Sequence, residues 1–272
     1  MKLLDYHCHT NFSQDCNYSM EEQCCAAIQR GVVEIAFTEH EDYNPDDPTS
    51  FYFQHGEYHQ AVDRCQARFG DQVVIRRGIE ISEPHRHPAR VREVLSSYEW
   101  DFVLGSLHWV TPEINTYLPE FFTWLGDWRR SFERYFTEMI ALARDGDFDV
   151  LAHLDYPARY GRHFFGDAYD IRAYEPLIRE VLQQLIARGK GIEINTSPWR
   201  RGAESANPPA VVLRWYHELG GAILTVGSDS HTPADVGADI ARAIELAKAA
   251  GFTHLTRFER RQPHFIAIDA LQ

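Results

Sequence analysis

Histidine, aspartate and glutamate side chains follow the ends of short apolar segments along this sequence, and their positions constrain its fold and chemistry. Seven such segments recur between polar or glycine-containing turns, which is the pattern of buried strands. Six of the seven end in side chains that can bind a metal. The predicted strands are 2–6, 33–38, 73–81, 102–109, 149–154, 191–195 and 222–226.

Segments with apolar residues at spacings of three and four separate these strands, which predicts intervening helices. Strands that alternate with helices indicate a parallel sheet, and seven repeats with no obvious edge strand favour a barrel over an open sheet. No internal repeat or linker-like segment divides the 272 residues, a length that one α/β barrel occupies. We therefore expect a single α/β domain over residues 1–272.

The carboxyl ends of all strands in a parallel barrel meet on one face, where active sites lie. Ligands scattered in the sequence would therefore meet in space. Residues i and i+2 of a strand point the same way, so the pairs His7/His9 and Asp229/His231 each suit one ion. The candidate ligands are His7, His9, Asp15, His40, Glu80, His108, His153, Asp229 and His231.

Nine ligands exceed the four that one tetrahedral ion requires, so two or three ions are expected. Mixed imidazole and carboxylate ligation suits zinc, iron or manganese. Glu193 and Asn195, at the end of the sixth strand, are expected to hydrogen-bond to ligands rather than to bind metal themselves.

The net charge of the chain excludes some classes of binding partner. The formal net charge is −13, which disfavours nucleic-acid backbones and anionic lipid surfaces. No apolar run reaches membrane-spanning length, and the N-terminal sequence is unlike a signal peptide. Five cysteines, all in the first quarter of the chain, indicate reduced thiols. We expect a cytoplasmic protein with no membrane partner.

Six motifs together resemble the polymerase-and-histidinol-phosphatase (PHP) family, in order over nearly the whole chain. Its length and residues 195–197 resemble the stand-alone histidinol-phosphatase branch of that family in particular. This resemblance implies a distorted (β/α)7 TIM-like barrel, a trinuclear metal site, and hydrolysis of L-histidinol phosphate to L-histidinol and phosphate in histidine biosynthesis. The motifs are residues 7–9, 38–40, 78–80, 105–108, 153–155 and 227–231.

The resemblance also distributes the ligands among three divalent ions. His7, His9, Glu80 and Asp229 would hold the first ion. Glu80 would bridge to the second, which His108 and His153 complete. Asp15, His40 and His231 would hold the third.

The charge of the substrate indicates the mechanism. A phosphate monoester dianion repels nucleophiles, and metal binding lowers the pKa of water from about 15.7 to about 7. We therefore expect a hydroxide that bridges the first two ions, which share Glu80, to attack phosphorus. Asp229 or His231 is expected to orient the water or to protonate the leaving group, and the sequence leaves both roles open.

Two arginines are expected to bind the phosphate, because a guanidinium matches phosphate oxygens in pairs. Arg159 and Arg200 fall in loops on the active-site face and resemble the phosphate-binding arginines of the family. Pro198 stands where relatives commonly have a small residue, so the second arginine is either Arg200 or its neighbour Arg201.

The sequence bears on three alternative functions. A barrel hydrolase of C–N bonds commonly uses a carbamylated lysine, but Lys2, Lys190 and Lys248 all lie away from the carboxyl ends of the strands. A non-catalytic metal protein would normally have a closed coordination shell. The remaining alternative is a phosphoesterase of the same fold that acts on another small phosphorylated metabolite or on a nucleotide.

Overall fold

Seven parallel strands form the central sheet of the protein, whose computed structural model describes residues 2–47 and 49–271. Neighbouring strands of this sheet follow one another in chain order. The strands of the sheet are β1 (Leu3–Cys8), β2 (Val32–Glu41), β3 (Val74–Ser82), β4 (Phe102–Ser106), β7 (Val150–Leu151), β8 (Gly191–Asn195) and β9 (Leu224–Gly227). Two further strands, β5 (Trp109–Thr111) and β6 (Ile114–Asn115), lie between β4 and β7 in the sequence but form a separate hairpin.

The sheet curls until its first and last strands meet at their carboxyl ends. There the amide of Asp229 donates to the carbonyl of His7 at 2.7 Å, and the amide of His9 donates to the carbonyl of Ser230 at 2.9 Å. The buried carboxylate of Asp5 also accepts the amide of Ser228 at 2.8 Å. The result is a nearly closed barrel of seven strands, which confirms the predicted (β/α)7 fold.

Ten α-helices are present among the described residues, and most of them cover the outside of the barrel. The first begins at Ser19, where the side chains of Ser19 and Glu22 form the reciprocal hydrogen bonds of a capping box. The helices are α1 (Met20–Gln29), α2 (His55–Phe69), α3 (Pro88–Ser97), α4 (Pro119–Thr123), α5 (Trp128–Asp145), α6 (Arg162–Phe165), α7 (Glu175–Ala187), α8 (Ser197–Arg200), α9 (Ala210–Glu218) and α10 (Ile240–Ala249).

Two antiparallel hairpins were not predicted. One consists of β5 (Trp109–Thr111) and β6 (Ile114–Asn115), and the other of β10 (His254–Glu259) and β11 (Gln262–Ala267). The predicted strand over 102–109 ends at Ser106 because the carboxylate of Glu83 accepts the amides of His108 and Trp109, at 2.6 and 2.9 Å. These amides are then unable to continue the parallel ladder.

The core of the protein is apolar, and buried polar side chains gather at the carboxyl ends of the strands. Side chains such as Ile35, Ile79, Leu104 and Ile194 are fully buried, whereas the buried polar side chains include His7, His9 and Glu80. Among the described residues, no helix combines the length and apolarity needed to cross a membrane.

Candidate metal centre

All nine predicted ligands lie at the carboxyl end of the barrel, on six strands or the loops that follow them. His7, His40 and Glu80 lie in β1, β2 and β3, and the other six follow the ends of β1, β4, β7 and β9. Three groups of their donor atoms are close enough to surround an ion: His7, His9 and Asp229; His7, Glu80 and His153; and His9, His40 and His231.

The first group is compact enough for a tetrahedral ion. The Nε2 atoms of His7 and His9 lie 3.1 Å apart, and Oε2 of Glu80 lies 3.2 Å from Nε2 of His7. Oδ1 of Asp229 lies 3.8 Å from the first imidazole nitrogen and 3.7 Å from the second. Donors about 2.1 Å from a tetrahedral ion are about 3.4 Å from one another. The donor atoms of His7, His9 and Asp229 therefore lie close to the spacing of three corners of one coordination tetrahedron, with Glu80 beside the first histidine.

Glu80 faces two groups with its two carboxylate oxygens. Oε2 contacts His7, whereas Oε1 lies 3.0 Å from Nε2 of His153 and 3.6 Å from Nε2 of His108. A carboxylate with one oxygen toward each of two ligand groups has the geometry of a bridge between two ions.

Asp15 connects the two remaining histidines. Its Oδ2 atom lies 3.1 Å from Nε2 of His231 and 3.6 Å from Nε2 of His40. The rings of His40 and His231 both stack against the His9 ring, with centroids 4.4 and 4.2 Å away. This third group is the most accessible one, because the Asp15 side chain is 50% exposed.

Polar partners fix the rings of the first pair of histidines. Glu193 accepts from Nδ1 of His7 at 2.7 Å, so that Nε2 faces the ligand cluster. Nδ1 of His9 lies 3.0 Å from the hydroxyl of Ser13, which donates to Glu39 at 2.6 Å. Outer partners of this kind fix the tautomer and orientation of metal-binding histidines.

The electrostatics of the cluster follow from its burial and its opposed charges. Burial disfavours the ionised Glu80, but the neighbouring His7 and the hydrogen bonds from His153 and His40 outweigh it and hold its pKa well below the usual range. Burial lowers the pKa of His108 to about 3, and burial with nearby histidines lowers that of His9. Both imidazoles are therefore neutral at neutral pH, the form that binds metal.

The backbone is constrained where ligands leave the strands. His153 and Asp229 adopt positive φ angles of 24° and 55°, in a region that non-glycine residues rarely occupy and that is often found at functional sites. Gly227, just before this turn, has no space for a β-carbon because one would clash with Oε1 of Glu193 and Cβ of His7. Glycine therefore allows β9 to approach the first histidine.

Arg159 lies against the cluster. Its Nη1 donates to Oδ2 of Asp229 at 2.9 Å and its Nη2 to Asn195 at 3.4 Å, while the guanidinium lies 4.5 Å from the ring centre of Tyr156. The Arg159 side chain is only 2% exposed. It lines the metal cavity and is positioned to meet an anion there.

The two remaining arginine candidates have different surroundings. Arg200 donates to the Ser228 carbonyl and to Thr196, and its Nε lies 3.3 Å from Asp235. Arg201 lines the metal cavity instead. Successive residues of a helical turn point about 100° apart, so neighbours at the end of α8 face different surroundings. The placement favours Arg201 for a contact with a bound anion.

Two connected cavities lie over the cluster. One of about 240 Å³ is lined by seven of the candidate ligands and by Arg159 and Arg201, and it adjoins a cavity of about 380 Å³. Asp15, His40, His108, Tyr156 and Tyr160 line both. The larger cavity is further lined by Asp42, Asp47, Thr49 and Tyr117. A ligand can therefore have one end at the cluster and the other among acids and tyrosines.

The sequence did not single out Glu83, Ser13 or the acids of the larger cavity. Glu83 holds the backbone of His108, and Ser13 joins Glu39 to His9. These residues follow strands without any regular spacing, so only the folded chain shows their contacts. Glu193 and Asn195 lie where they were expected, with hydrogen bonds to His7 and to Asp229.

Comparison with known sequences identifies relatives over most of the chain. The PHP domain family model matches residues 5–197. A histidinol-phosphatase of Lactococcus lactis subsp. lactis is 30% identical over 260 residues, which cover 95% of each chain. A Clostridium acetobutylicum protein named "Probable histidinol-phosphatase" is 31% identical over 247 residues, covering 90% of this chain and 93% of the relative.

Solved structures agree with this result. The histidinol phosphate phosphatase of L. lactis, complexed with zinc, L-histidinol and phosphate, superposes with a TM-score of 0.87 at 29% identity. The superposition covers 97% of this chain and 99% of the other. A Listeria monocytogenes protein at 18% identity superposes with a TM-score of 0.76 over 88% of this chain and 98% of its own, and so shares the fold.

Proposed function

This chain belongs to the PHP domain family, and we propose that it is a metal-dependent phosphatase that hydrolyses L-histidinol phosphate to L-histidinol and phosphate. The observation on which this rests is the bridging position of Glu80, whose two oxygens face two histidine groups beside a buried arginine. The L. lactis enzyme complexed with zinc, L-histidinol and phosphate supports the same substrate here.

We propose three divalent ions, of zinc, iron or manganese, in the single barrel domain formed by residues 1–272. Three groups of donor atoms that each lie within 4.8 Å of one another support this number, although these groups share His7 and His9 and differ in membership from the ligand sets that the family resemblance implies. His7, His9, Glu80 and Asp229 would hold the first ion; Glu80, His108 and His153 the second; and Asp15, His40 and His231 the third.

Ions held in these positions would supply hydroxide at neutral pH and neutralise the phosphoryl group. The chain itself contributes positively charged side chains that would bind the phosphate. Arg159 is fixed by Asp229 and Asn195 and stacked against Tyr156, so its guanidinium is oriented before the substrate arrives. Arg201 is proposed as the second phosphate contact, with Arg200 as the alternative that the sequence left open.

Proton transfer is assigned to Asp229 or His231. Oδ2 of Asp229 accepts hydrogen bonds from Arg159, Asn195 and Ser197, which fixes the carboxylate and leaves Oδ1 toward His7 and His9. The His231 side chain is 27% exposed at the cavity. We therefore propose that Asp229 orients the attacking water, and that one of these two side chains protonates the departing alkoxide.

The cavity next to the cluster suits a cationic organic group. Asp42 and Asp47 line it together with Tyr117, Tyr156 and Tyr160, and carboxylates with aromatic faces favour ammonium and imidazolium groups. L-Histidinol has an amine and an imidazole. A phosphate ester with an anionic or purely apolar organic group would meet repulsion or unpaired acids in the same cavity.

The deciding experiment measures phosphate release from L-histidinol phosphate, glycerol phosphate, a nucleoside monophosphate and a phosphodiester. It compares metal-loaded enzyme, chelated enzyme and the His9→Ala variant, with the exposed Arg92→Ala as a matched control. We expect the metal-loaded enzyme and Arg92→Ala to release phosphate preferentially from L-histidinol phosphate. Chelation and His9→Ala should abolish phosphate release. Turnover of other esters without this one would favour the alternative phosphoesterase function and contradict the named substrate.

The cytoplasmic location and the absence of nucleic-acid and membrane partners remain predictions. Cell fractionation with an antibody to the chain tests the first. Binding of the purified protein to RNA and to anionic vesicles tests the others.

A further inference from the structure

The side chain of Asp5, in β1, holds two points of the chain between β9 and α10. Its Oδ1 accepts the amide of Ser228 at 2.8 Å, and its Oδ2 accepts the hydroxyl of Ser228 at 2.6 Å and the amide of Gly237 at 2.8 Å. Ser228 directly follows β9, and Gly237 precedes α10. One fully buried carboxylate therefore closes the 228–237 loop against the first strand of the barrel.

Gly237 allows the end of this loop to return to Asp5. Its φ is 69°, in the region that favours glycine, and a β-carbon at this position would lie 2.8 Å from Cγ2 of Val32. A larger residue would therefore have to move its amide away from the carboxylate. The loop conformation and the hydrogen bonds of Asp5 thus depend on each other.

The 228–237 loop carries Asp229, a proposed ligand of the first ion. Asp229 has a φ of 55°, a strained conformation that persists only where the surrounding structure holds it. The residues on both sides are held, because Ser228 donates twice to the buried carboxylate and the carbonyl of Ser230 accepts the amide of His9 at 2.9 Å. The conformation of Asp229 is therefore imposed by contacts with β1 and the residues that follow it.

Asp5 is not placed to bind metal itself. It belongs to none of the donor groups that could surround an ion among the described residues. Both of its oxygens accept backbone N–H groups, so an amide in place of the carboxylate would direct an N–H group at one of these donors. Hydrogen bonds to an ionised acceptor are about twice as strong as those between neutral groups. The loop is therefore sensitive to the charge of this one side chain.

We propose that Asp5 is a positioning residue of the metal centre, which holds the 228–237 loop so that Asp229 reaches the first ion. This inference rests on the proposed metal-dependent function. With the loop closed, Oδ1 of Asp229 lies 3.8 Å from Nε2 of His7 and 3.7 Å from Nε2 of His9. Without the carboxylate, the loop loses these attachments to β1, and the ligand is no longer held at this distance.

The test is titration of the full-length protein with Co²⁺ after removal of its metal by a chelator. Visible absorption of bound Co²⁺ reports the coordination geometry, and competition with the chelator gives the affinity. Asp5→Asn is the main variant. Ser228→Ala removes only one of the three hydrogen bonds, and it therefore keeps the test possible if Asp5→Asn does not fold.

Asp149→Asn is the matched control. Asp149 is also buried and also accepts a backbone amide, that of Val103 at 3.0 Å, but it lies at the amino end of β7. The proposed ligands lie at the opposite end of the barrel. This variant therefore reports what the loss of a buried carboxylate does to the fold alone.

Asp5→Asn should weaken Co²⁺ binding about tenfold and shift the absorption bands, as expected for a group that orients a metal ligand. Ser228→Ala should weaken Co²⁺ binding by a smaller factor. Asp149→Asn should lower the melting temperature and leave the Co²⁺ affinity unchanged. In a protein that already carries Asp229→Ala, Asp5→Asn should cause little further loss of affinity, because both changes affect the same ligand.

Unchanged Co²⁺ affinity in Asp5→Asn would overturn the proposal, as would unchanged affinity in Ser228→Ala if only that variant folds. Losses that multiply when Asp5→Asn and Asp229→Ala are combined would also overturn it, because they would indicate a general weakening of the fold. Wild-type protein that binds no Co²⁺ would contradict the proposed metal-dependent function together with this inference. A failure of the proposed substrate alone leaves the Co²⁺ measurements unaffected.

Discussion

Glu193 and His7 form a fully buried contact in which Oε1 of the carboxylate lies 2.7 Å from Nδ1 of the imidazole. Although burial opposes it, Glu193 together with Glu80 and Asp229 raises the pKa of His7 well above its usual value. The contact leaves Nε2 as the nitrogen that faces the cluster. Glu193 therefore acts on the metal site by orienting a ligand and increasing its basicity.

Glu193→Gln keeps the shape of the side chain but removes its charge. We expect metal affinity to fall by roughly 10- to 100-fold, as for other outer partners of metal-binding histidines. Competition with a chelator, followed by metal analysis, measures this change. Glu57→Gln, at an exposed position of α2, is the control. Unchanged affinity in Glu193→Gln would show that the contact is only structural.

The third ion depends on Asp15, the most exposed of the proposed ligands. Asp15→Asn should lower the bound metal from three ions per chain to two, because the remaining pair of histidines is an incomplete shell. Metal analysis after dialysis gives the count, with Asp46→Asn as an exposed control. A count of two in the wild type, unaltered in Asp15→Asn, would contradict the three-ion proposal.

The arginine contacts predict a difference between neighbours. Arg159→Ala and Arg201→Ala should each lower kcat/KM for L-histidinol phosphate by about 10- to 100-fold, because each removes a charge-assisted contact to phosphate. Arg200→Ala should instead lower thermal stability, since Arg200 bonds to Ser228 and Thr196. Steady-state kinetics and melting curves separate these effects. The reverse pattern would restore Arg200 as the phosphate ligand.

Leaving-group chemistry distinguishes the two candidate proton donors. Replacing the general acid should slow hydrolysis of L-histidinol phosphate, whose alkoxide needs a proton, far more than that of 4-nitrophenyl phosphate, whose leaving group does not. Asp229→Asn and His231→Asn are compared on both esters, with metal content measured for each. Equal losses on both esters in both variants would exclude these side chains as the acid.

Glu138 predicts a pH dependence of stability away from the metals. Burial opposes ionisation, but hydrogen bonds from His85 and Arg86 outweigh it and lower its pKa from 4.5 to about 2. A carboxyl group whose pKa is lower in the folded than in the unfolded state stabilises the fold at pH values above the unfolded-state pKa. This contribution is lost as the pH falls from about 4.5 to about 2. Glu138→Gln should therefore lower the free energy of unfolding by about 2 kcal/mol at pH 7 and by less at pH 3.

Urea unfolding of the chelated protein measures this difference without interference from metal loss. Glu133→Gln, exposed on the same helix, is the matched variant. A difference between wild type and Glu138→Gln that does not shrink between pH 7 and pH 3 would refute the ionic contribution.

The sequence predicted the barrel and the convergence of the nine ligands because both follow from periodicity. Side chains alternate in direction along an extended chain, so His7 and His9 are expected to point the same way. Parallel strands then bring them to the face of the barrel where the other ligands lie. The contacts made by Glu83 and Ser13 have no periodic signature. The same holds for the choice between Arg200 and Arg201, which depends on how one short helical turn is oriented. The hairpin β10–β11 was missed because it lies outside the alternation of strands and helices.

The joining of β1 to β9 has a consequence for how the protein is made. Of the first ion's four proposed ligands, His7 and His9 lie near the start of the sequence and Asp229 lies more than 200 residues later. During synthesis on the ribosome, His7 and His9 lack the contact with Asp229 until β9 has emerged and docked beside β1. A shortened or half-folded chain therefore has no complete centre, and hydrolysis itself reports that the whole barrel has been assembled.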